Sequence, residues 1–97
     1  MEDKAHQVAQ LLKVLANENR LMLFCALMEG PKSVGELAGS VPHITQSALS
    51  QHLTLLRNQG ILDFTKYGHS ITYSISDERV VELLMLLKKS YCDETSE

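Results

Sequence analysis

Apolar residues recur every three to four positions through the first sixty residues, and this period predicts helices. The first predicted helix runs from about Asp3 to Leu15, with an apolar stripe formed by Val8, Leu11, Leu12 and Leu15. Asn17 is suited to cap a second helix that ends near Glu29. The predicted inner face of this second helix consists of Leu21, Phe24, Cys25 and Met28.

Two further helices are predicted between Gly30 and Gly60, because strong start and stop signals bound them. Ser33 and Glu36 form a capping-box pattern that opens a short helix ending near Ser40. After a turn, Thr45 is predicted to cap the next helix, which Gly60 ends. The inner stripe of this fourth helix is formed by Leu49, His52, Leu53 and Leu56.

The apolar period changes from about 3.6 to 2 after Gly60, which predicts two strands joined at Gly68. Ser76 is then predicted to cap a last helix from about Asp77 to Tyr91. This helix has little polar surface, since its apolar residues are Val80, Val81, Leu83, Leu84, Met85, Leu86 and Leu87. Such a helix needs burial on more than one side, and a second copy of the chain is the simplest source.

The order of elements predicts a mainly α winged helix-turn-helix with a small β-hairpin, five helices and a wing. The third and fourth helices form the helix-turn-helix, and the hairpin is the wing. We expect a homodimer through the first and last helices. Residues 1–92 are predicted to form one DNA-binding and dimerisation domain, and residues 93–97 an acidic, disordered tail.

Composition changes this prediction little, but the distribution of charge adds to it. The net charge of −3 by itself argues against nucleic acid, yet no carboxylate lies between Glu36 and Asp63. The fourth helix therefore has a polar face without negative charge, as an approach to phosphates requires. No signal peptide and no membrane-spanning stretch is predicted, so we expect a cytoplasmic protein.

We predict that this polar face and the wing contact double-stranded DNA. The candidate residues are Thr45, Gln46, Ser47, Ser50, Gln51, His52, Thr54, Arg57, Lys66 and His69. Alternatives remain open for several of them. His52 suits a packing role as well as a phosphate contact, Arg57 suits a local acid as well as a phosphate, and the wing tip suits a plain exposed turn.

Three stretches resemble the ArsR/SmtB family of bacterial repressors, and together they extend over nearly the whole chain, from about Leu11 to Cys92. They are "LKVLANENRLMLFCALMEGPKSVGELA", "QSALSQHLTLLRNQGIL" and "YGHSITYSISDERVVELL", and "SALSQHL" is the most specific part. The resemblance implies a homodimer that releases operator DNA when an inducer binds. The turn before the fourth helix is about one residue longer than is usual in the family and contains Pro42.

The chain departs from the metal sensors of this family. Its third helix, "SVGELAG", has no cysteines, and the start of the last helix, "SDERVVELL", has no histidine. The remaining cysteines resemble those of the dithiol subgroup, which is HlyU/BigR/SqrR-like and responds to reactive sulfur species or oxidants. This resemblance implies that Cys25 and Cys92 form the sensor, bridged within one subunit by a disulfide or a polysulfide. No cofactor or standard metal site is predicted.

Other functions are weaker interpretations of the same sequence. No motif of an enzyme active site is present. A metal-sensing repressor with a non-standard site would have to use His6, His43, His69 or the "CDE" tail, whose spacing matches no known ligand pattern. An inducer-independent regulator, or a winged helix that binds only proteins, also stays open.

Overall fold

The chain folds into five helices and a three-stranded antiparallel sheet, which is the predicted winged helix-turn-helix. The computed structural model describes residues 2–92, except for the side chain of Cys92. The prediction of a disordered tail at residues 93–97 lies outside the described residues. The elements are α1 (Glu2–Leu15), α2 (Glu18–Leu27), β1 (Lys32–Ser33), α3 (Val34–Ser40), α4 (Gln46–Asn58), β2 (Leu62–Tyr67), β3 (Ser70–Ile75) and α5 (Glu78–Cys92).

Three helices begin where the sequence predicts, because a side-chain oxygen accepts a backbone hydrogen bond in the first turn. The Asn17 side chain accepts from the Arg20 N–H, and Thr45 Oγ1 accepts from the Ala48 N–H at 3.0 Å. At α3 the capping box is complete, since Ser33 and Glu36 each accept from the other's backbone N–H. These predictions are confirmed.

The predicted cap of the last helix is wrong by one residue. The Ser76 hydroxyl donates to the Gly60 carbonyl oxygen at 3.1 Å and so ties the chain to the end of α4. Asp77 is the cap instead, because its Oδ1 accepts from the Arg79 N–H at 2.9 Å. A carboxylate at this position also suits the positive end of the helix dipole.

The wing is the hairpin of β2 and β3, paired from Leu62–Ile75 to Tyr67–Ser70. Gly68 has a φ of +60°, as a tight hairpin turn requires, and this confirms the prediction at that position. The sheet order is β1-β3-β2, so a third strand pairs Lys32 and Ser33 with β3. The sequence did not predict β1, because two residues are too few to show a strand period.

The core lies where α2, α3, α4 and α5 meet the base of the wing. Its buried side chains are Leu15, Leu23, Phe24, Leu27, Leu37, Val41, Leu49, Leu53, Leu56, Ile61, Leu62, Val80 and Leu84. Within the described residues, no helix is long and apolar enough to cross a bilayer.

The predicted inner face of α2 is partly wrong. Leu23, Phe24 and Leu27 are buried, whereas Leu21 and Cys25 are exposed. Every residue from 21 to 28 is apolar, so the pattern of the sequence does not select a face. Packing against the other helices selects it, and leaves the Cys25 thiol at the surface.

Candidate nucleic-acid interface

The two faces of α4 differ sharply in burial. Leu49, Leu53 and Leu56 are almost completely buried and fix the rotation of the helix on the core. This rotation exposes the opposite face, which consists of Gln46, Ser47, Ser50, Gln51, Thr54, Arg57 and Asn58. The polar groups of this face are hydroxyls, amides and one guanidinium, so it can form hydrogen bonds with a partner and carries no negative charge.

Thr45 lies at the start of this face, but its hydroxyl oxygen already accepts the Ala48 N–H. Thr45 therefore supports the first turn of α4, and its exposed hydroxyl hydrogen remains available to a phosphate. The acid nearest to Thr45 along the chain is Glu36, whose carboxylate accepts a hydrogen bond from the Ser33 N–H in the capping box of α3. The hydrogen bonds from Ser33 lower the pKa of this carboxyl.

Arg57 is held at the junction of α4 and the wing by an aromatic ring. Its guanidinium carbon lies 4.0 Å from the centre of the Phe64 ring, a cation–π contact. Phe64 in turn meets Tyr73 edge to face, with ring centres 5.9 Å apart. Within residues 2–92 no carboxylate pairs with Arg57, so the predicted alternative of a local acid has no support there.

His52 points away from the exposed face and is half-buried. Its Nδ1 accepts a hydrogen bond from Arg20 Nε at 3.3 Å. Burial, and next the neighbouring Arg20 charge, lower the pKa of His52 below its ordinary value. These contacts favour the packing role over a direct phosphate contact.

The wing tip projects into solvent. Lys66 and His69 are both exposed, as a contact with DNA requires. Tyr67 stands between them with 76% of its surface exposed, an uncommon position for an aromatic residue. Sequence reasoning did not select Tyr67, although an aromatic residue beside the turn glycine was a signal.

The two cysteines lie toward the C-terminal ends of α2 and α5. Cys25 is exposed in a shallow depression with Met22 and Lys32, and the Lys32 ammonium pairs with Glu29 at 3.4 Å. A separate groove is lined by Leu27 at the end of α2, by Met28 and by residues 85, 88 and 89 of α5. Cys92 ends α5 one turn farther on, and its side chain lies outside the described residues.

A metal site has no support in the part of the chain that the structure describes. No three or more His, Cys, Asp or Glu side chains come together there in a way that would hold an ion. His6 contacts Gln10 and His43 contacts Asn19, each an uncharged partner.

The fold is that of DNA-binding transcriptional regulators of the winged helix-turn-helix class. The chain belongs to the ArsR family: residues 17–63 match the family model described as bacterial regulatory protein, arsR family. The resemblance noted in the sequence is therefore confirmed.

Individual relatives extend this similarity over almost the whole chain. The transcriptional activator HlyU of Vibrio cholerae is 39% identical over 92 residues, which span 95% of this chain and 84% of HlyU. The biofilm growth-associated repressor of Agrobacterium fabrum is 41% identical over 92 residues, spanning 95% of this chain and 78% of the relative. The solved structure of reduced HlyU has a TM-score of 0.88 at 39% identity and covers 95% of this chain and 96% of its own. These relatives are transcriptional regulators, not enzymes.

Proposed function

We propose that this ArsR-family regulator acts in the cytoplasm as a homodimer, and that a Cys25/Cys92 dithiol controls its binding to operator DNA. Reactive sulfur species or oxidants are the inducers in this proposal. The observation that carries the DNA-binding part is the exposed face of α4, which is free of carboxylates and includes the Arg57 guanidinium held over Phe64.

The chemistry of each side chain suggests its role on DNA. Gln46 and Gln51 have the donor and acceptor pair that reads adenine in the major groove. Ser47, Ser50 and Thr54 suit phosphates, and so does Arg57. Lys66 and His69 on the wing suit the neighbouring minor groove or backbone.

The homodimer is supported by apolar surface on α1 and α5. Val8 is 54% exposed, Leu12 49%, Met85 56% and Leu86 61% in the single chain. Exposure of these apolar side chains to water is unfavourable in free energy. A second copy of the chain, related by a two-fold axis, would bury them. A two-fold dimer also presents two α4 helices to successive major grooves, which is how dimeric helix-turn-helix proteins bind.

The dithiol switch is supported by the exposed Cys25 thiol. Leu27 and Met28, which follow Cys25 in the chain, also line a groove together with residues 85, 88 and 89 of α5. One thiolate would attack a sulfur atom of a polysulfide, and the shortened polysulfide anion would leave. The second thiolate would attack the sulfur chain now bound to the first and displace sulfide. The two thiols are thereby oxidised, and the polysulfide sulfur is reduced.

A bridge between these cysteines would tie α5, which belongs to the proposed dimer interface, to α2 in the core. A shift of one or two ångströms in the separation of the two α4 helices spoils their simultaneous docking. Couplings of this kind are typically worth about 1–3 kcal/mol, or about 5- to 150-fold in affinity.

The DNA-binding part is tested with Gln51→Ala and, as a matched control, Gln59→Ala, which changes an exposed glutamine just beyond α4. The probe is the strongest duplex that the reduced protein selects from a random library of about 30 base pairs, enough for two half-sites. Fluorescence anisotropy should show about tenfold weaker binding for Gln51→Ala and an unchanged affinity for Gln59→Ala. Equal affinities for both variants and the wild type would remove Gln51 from the interface.

The dithiol part is tested by treating the reduced protein with sodium tetrasulfide and analysing unreduced peptides by mass spectrometry. We expect the peptides of Cys25 and Cys92 to be linked within one chain through two or more sulfur atoms. Two thiols that stay free, or that alkylate independently, would refute the switch and leave the DNA-binding proposal standing.

A further inference from the structure

Arg20 joins three helices through one guanidinium group. It lies in the first turn of α2, where the Asn17 side chain accepts its backbone N–H. Its Nη1 donates to the Val14 carbonyl oxygen of α1 at 2.9 Å, and its Nε donates to His52 Nδ1 of α4 at 3.3 Å. Arg20 thus connects α1, which belongs to the proposed dimer interface, with α4, which is proposed to contact DNA.

The acceptors of Arg20 are uncharged, which is unusual for a partly buried guanidinium. Val14 lies in the last turn of α1, where carbonyl oxygens have no donor within the helix. Arg20 supplies that donor, and no carboxylate in residues 2–92 pairs with its charge. The Arg20 side chain therefore fixes the relative positions of α1, α2 and α4 and does not neutralise a buried carboxylate.

The contact with α4 depends on the protonation state of His52. Nδ1 accepts a hydrogen bond only when it carries no proton, so the neutral ring has its proton on Nε2. A second proton would turn Nδ1 into a donor and place a cation against the Arg20 guanidinium. The other nearby titratable ring, His43, lies before α4 and contacts Asn19 of α2 at 2.6 Å.

We propose that Arg20 is a positioning residue that fixes α4 relative to α1, and that protonation of His52 releases α4 from this contact. The inference rests on the proposed function, in which α4 reads DNA and α1 contributes to the dimer. It predicts that acid weakens operator binding. Added positive charge beside phosphates alone would strengthen it, so the sign of the pH effect separates the two explanations.

The lowered pKa of His52 agrees with this arrangement, since burial and Arg20 both favour the neutral ring. The neutral ring, which accepts the hydrogen bond, is therefore the favoured form at neutral pH. The hydrogen bond is lost as the pH falls through the pKa of the folded protein, which lies below the ordinary value of 6.5.

Two conservative variants of the full chain test the proposal on the selected duplex. Arg20→Lys keeps the charge but cannot bridge two acceptors with a rigid fork, so its affinity should fall about tenfold. His52→Asn places an amide oxygen near the position of Nδ1 and does not titrate. As the pH falls from about 7.5 through the pKa of His52, the wild-type affinity should fall about fivefold, whereas that of His52→Asn should not fall.

A readout on the free protein is independent of DNA. The pKa of His52, measured by nuclear magnetic resonance, should rise in Arg20→Lys, because the neutral ring loses the hydrogen bond that its Nδ1 accepts from the guanidinium. A twofold or smaller change in affinity for Arg20→Lys would overturn the proposal, and so would a pH profile of His52→Asn that matches the wild type. If Arg20→Lys does not fold, the His52→Asn profile decides alone. Failure of the wild type to bind any duplex would refute the proposed function instead.

Discussion

Arg57 illustrates how a single side chain on the candidate interface depends on its support. Its guanidinium lies over the Phe64 ring, so the charge is fixed between α4 and the wing before any DNA arrives. A side chain that is already ordered loses less conformational entropy when it binds a phosphate. Sequence alone identified Arg57 as a candidate, but not its ring, because the contact joins a helix to a strand.

Substitutions at Arg57 and Phe64 separate the contribution of the Arg57 charge to DNA affinity from that of its fixed position. Arg57→Ala should weaken binding about tenfold and reduce the slope of log affinity against log salt by about one, because one phosphate contact is lost. Phe64→Leu keeps the charge but removes the ring, so affinity should fall only about threefold with the slope unchanged. Anisotropy titrations at several salt concentrations measure both quantities. An unchanged slope for Arg57→Ala would place Arg57 off the DNA backbone.

The exposure of Cys25 is a property that the sequence did not predict. The run of apolar residues in α2 allowed Cys25 to be either core or surface, and only the packing of Leu23 and Leu27 decides between them. Likewise, the neutral partners of Arg20 come from residues 6 and 32 positions away, which no local pattern reveals. Local signals such as caps were predictable, whereas contacts between distant elements were not.

Among the elements, α5 has the start that the sequence misassigned. Both Ser76 and Asp77 are good capping residues, and local preference alone does not choose between them. The Gly60 carbonyl oxygen determines which residue caps α5, because it accepts a hydrogen bond from the Ser76 hydroxyl. Asp77 then accepts the Arg79 N–H and is the cap. For α2, α3 and α4 one capping residue each was predicted, and these three predictions were confirmed.

The cap predicts distinct effects for two substitutions at Asp77. Asp77→Ala should lower the free energy of unfolding by about 1 kcal/mol, whereas Asp77→Asn should largely retain it because asparagine also caps. Urea denaturation at neutral pH measures both. Equal losses for the two variants would show that the ion pair with Arg79, and not the cap, provides the stability.

The pH dependence of Asp77 follows from the same contacts. The side-chain hydrogen bond from Arg79 lowers the pKa of this carboxyl below its ordinary value of 3.8. The stability that it contributes is therefore fully present above about pH 4 and is lost as the pH falls through the lowered pKa. Asp77→Asn should lack this acid loss, which melts at about pH 2 to 4 would detect.

At the level of the whole molecule, the apolar surfaces of α1 and α5 determine what the chain can do. A single winged helix reads one half-site, and affinity for a full operator needs two linked copies. The overall fold was predictable because periods, caps and turns agree along the chain. The proposed partner follows from the sequence only as a requirement of burial, because the apolar residues of α1 and α5 do not specify how two copies pack.

Leu86→Glu tests the dimer. Leu86 is 61% exposed in the chain, so a charge there should leave the fold intact while it disrupts an apolar interface. Sedimentation at micromolar concentration should give the mass of two chains for the wild type and of one chain for the variant. Binding to the duplex should weaken at least about a hundredfold. Tyr67→Glu is the control, since it charges an exposed apolar residue on the wing and should remain dimeric. A wild type with the mass of one chain would exclude the dimer.

The most direct measurement follows the anisotropy of the selected duplex bound to reduced protein while sodium tetrasulfide is added. We expect the anisotropy to fall to that of free DNA, to recover after dithiothreitol, and to stay high for Cys25→Ser and Cys92→Ser. A duplex that stays bound to the treated wild type, or that leaves both serine variants equally, would contradict control of operator binding by the dithiol.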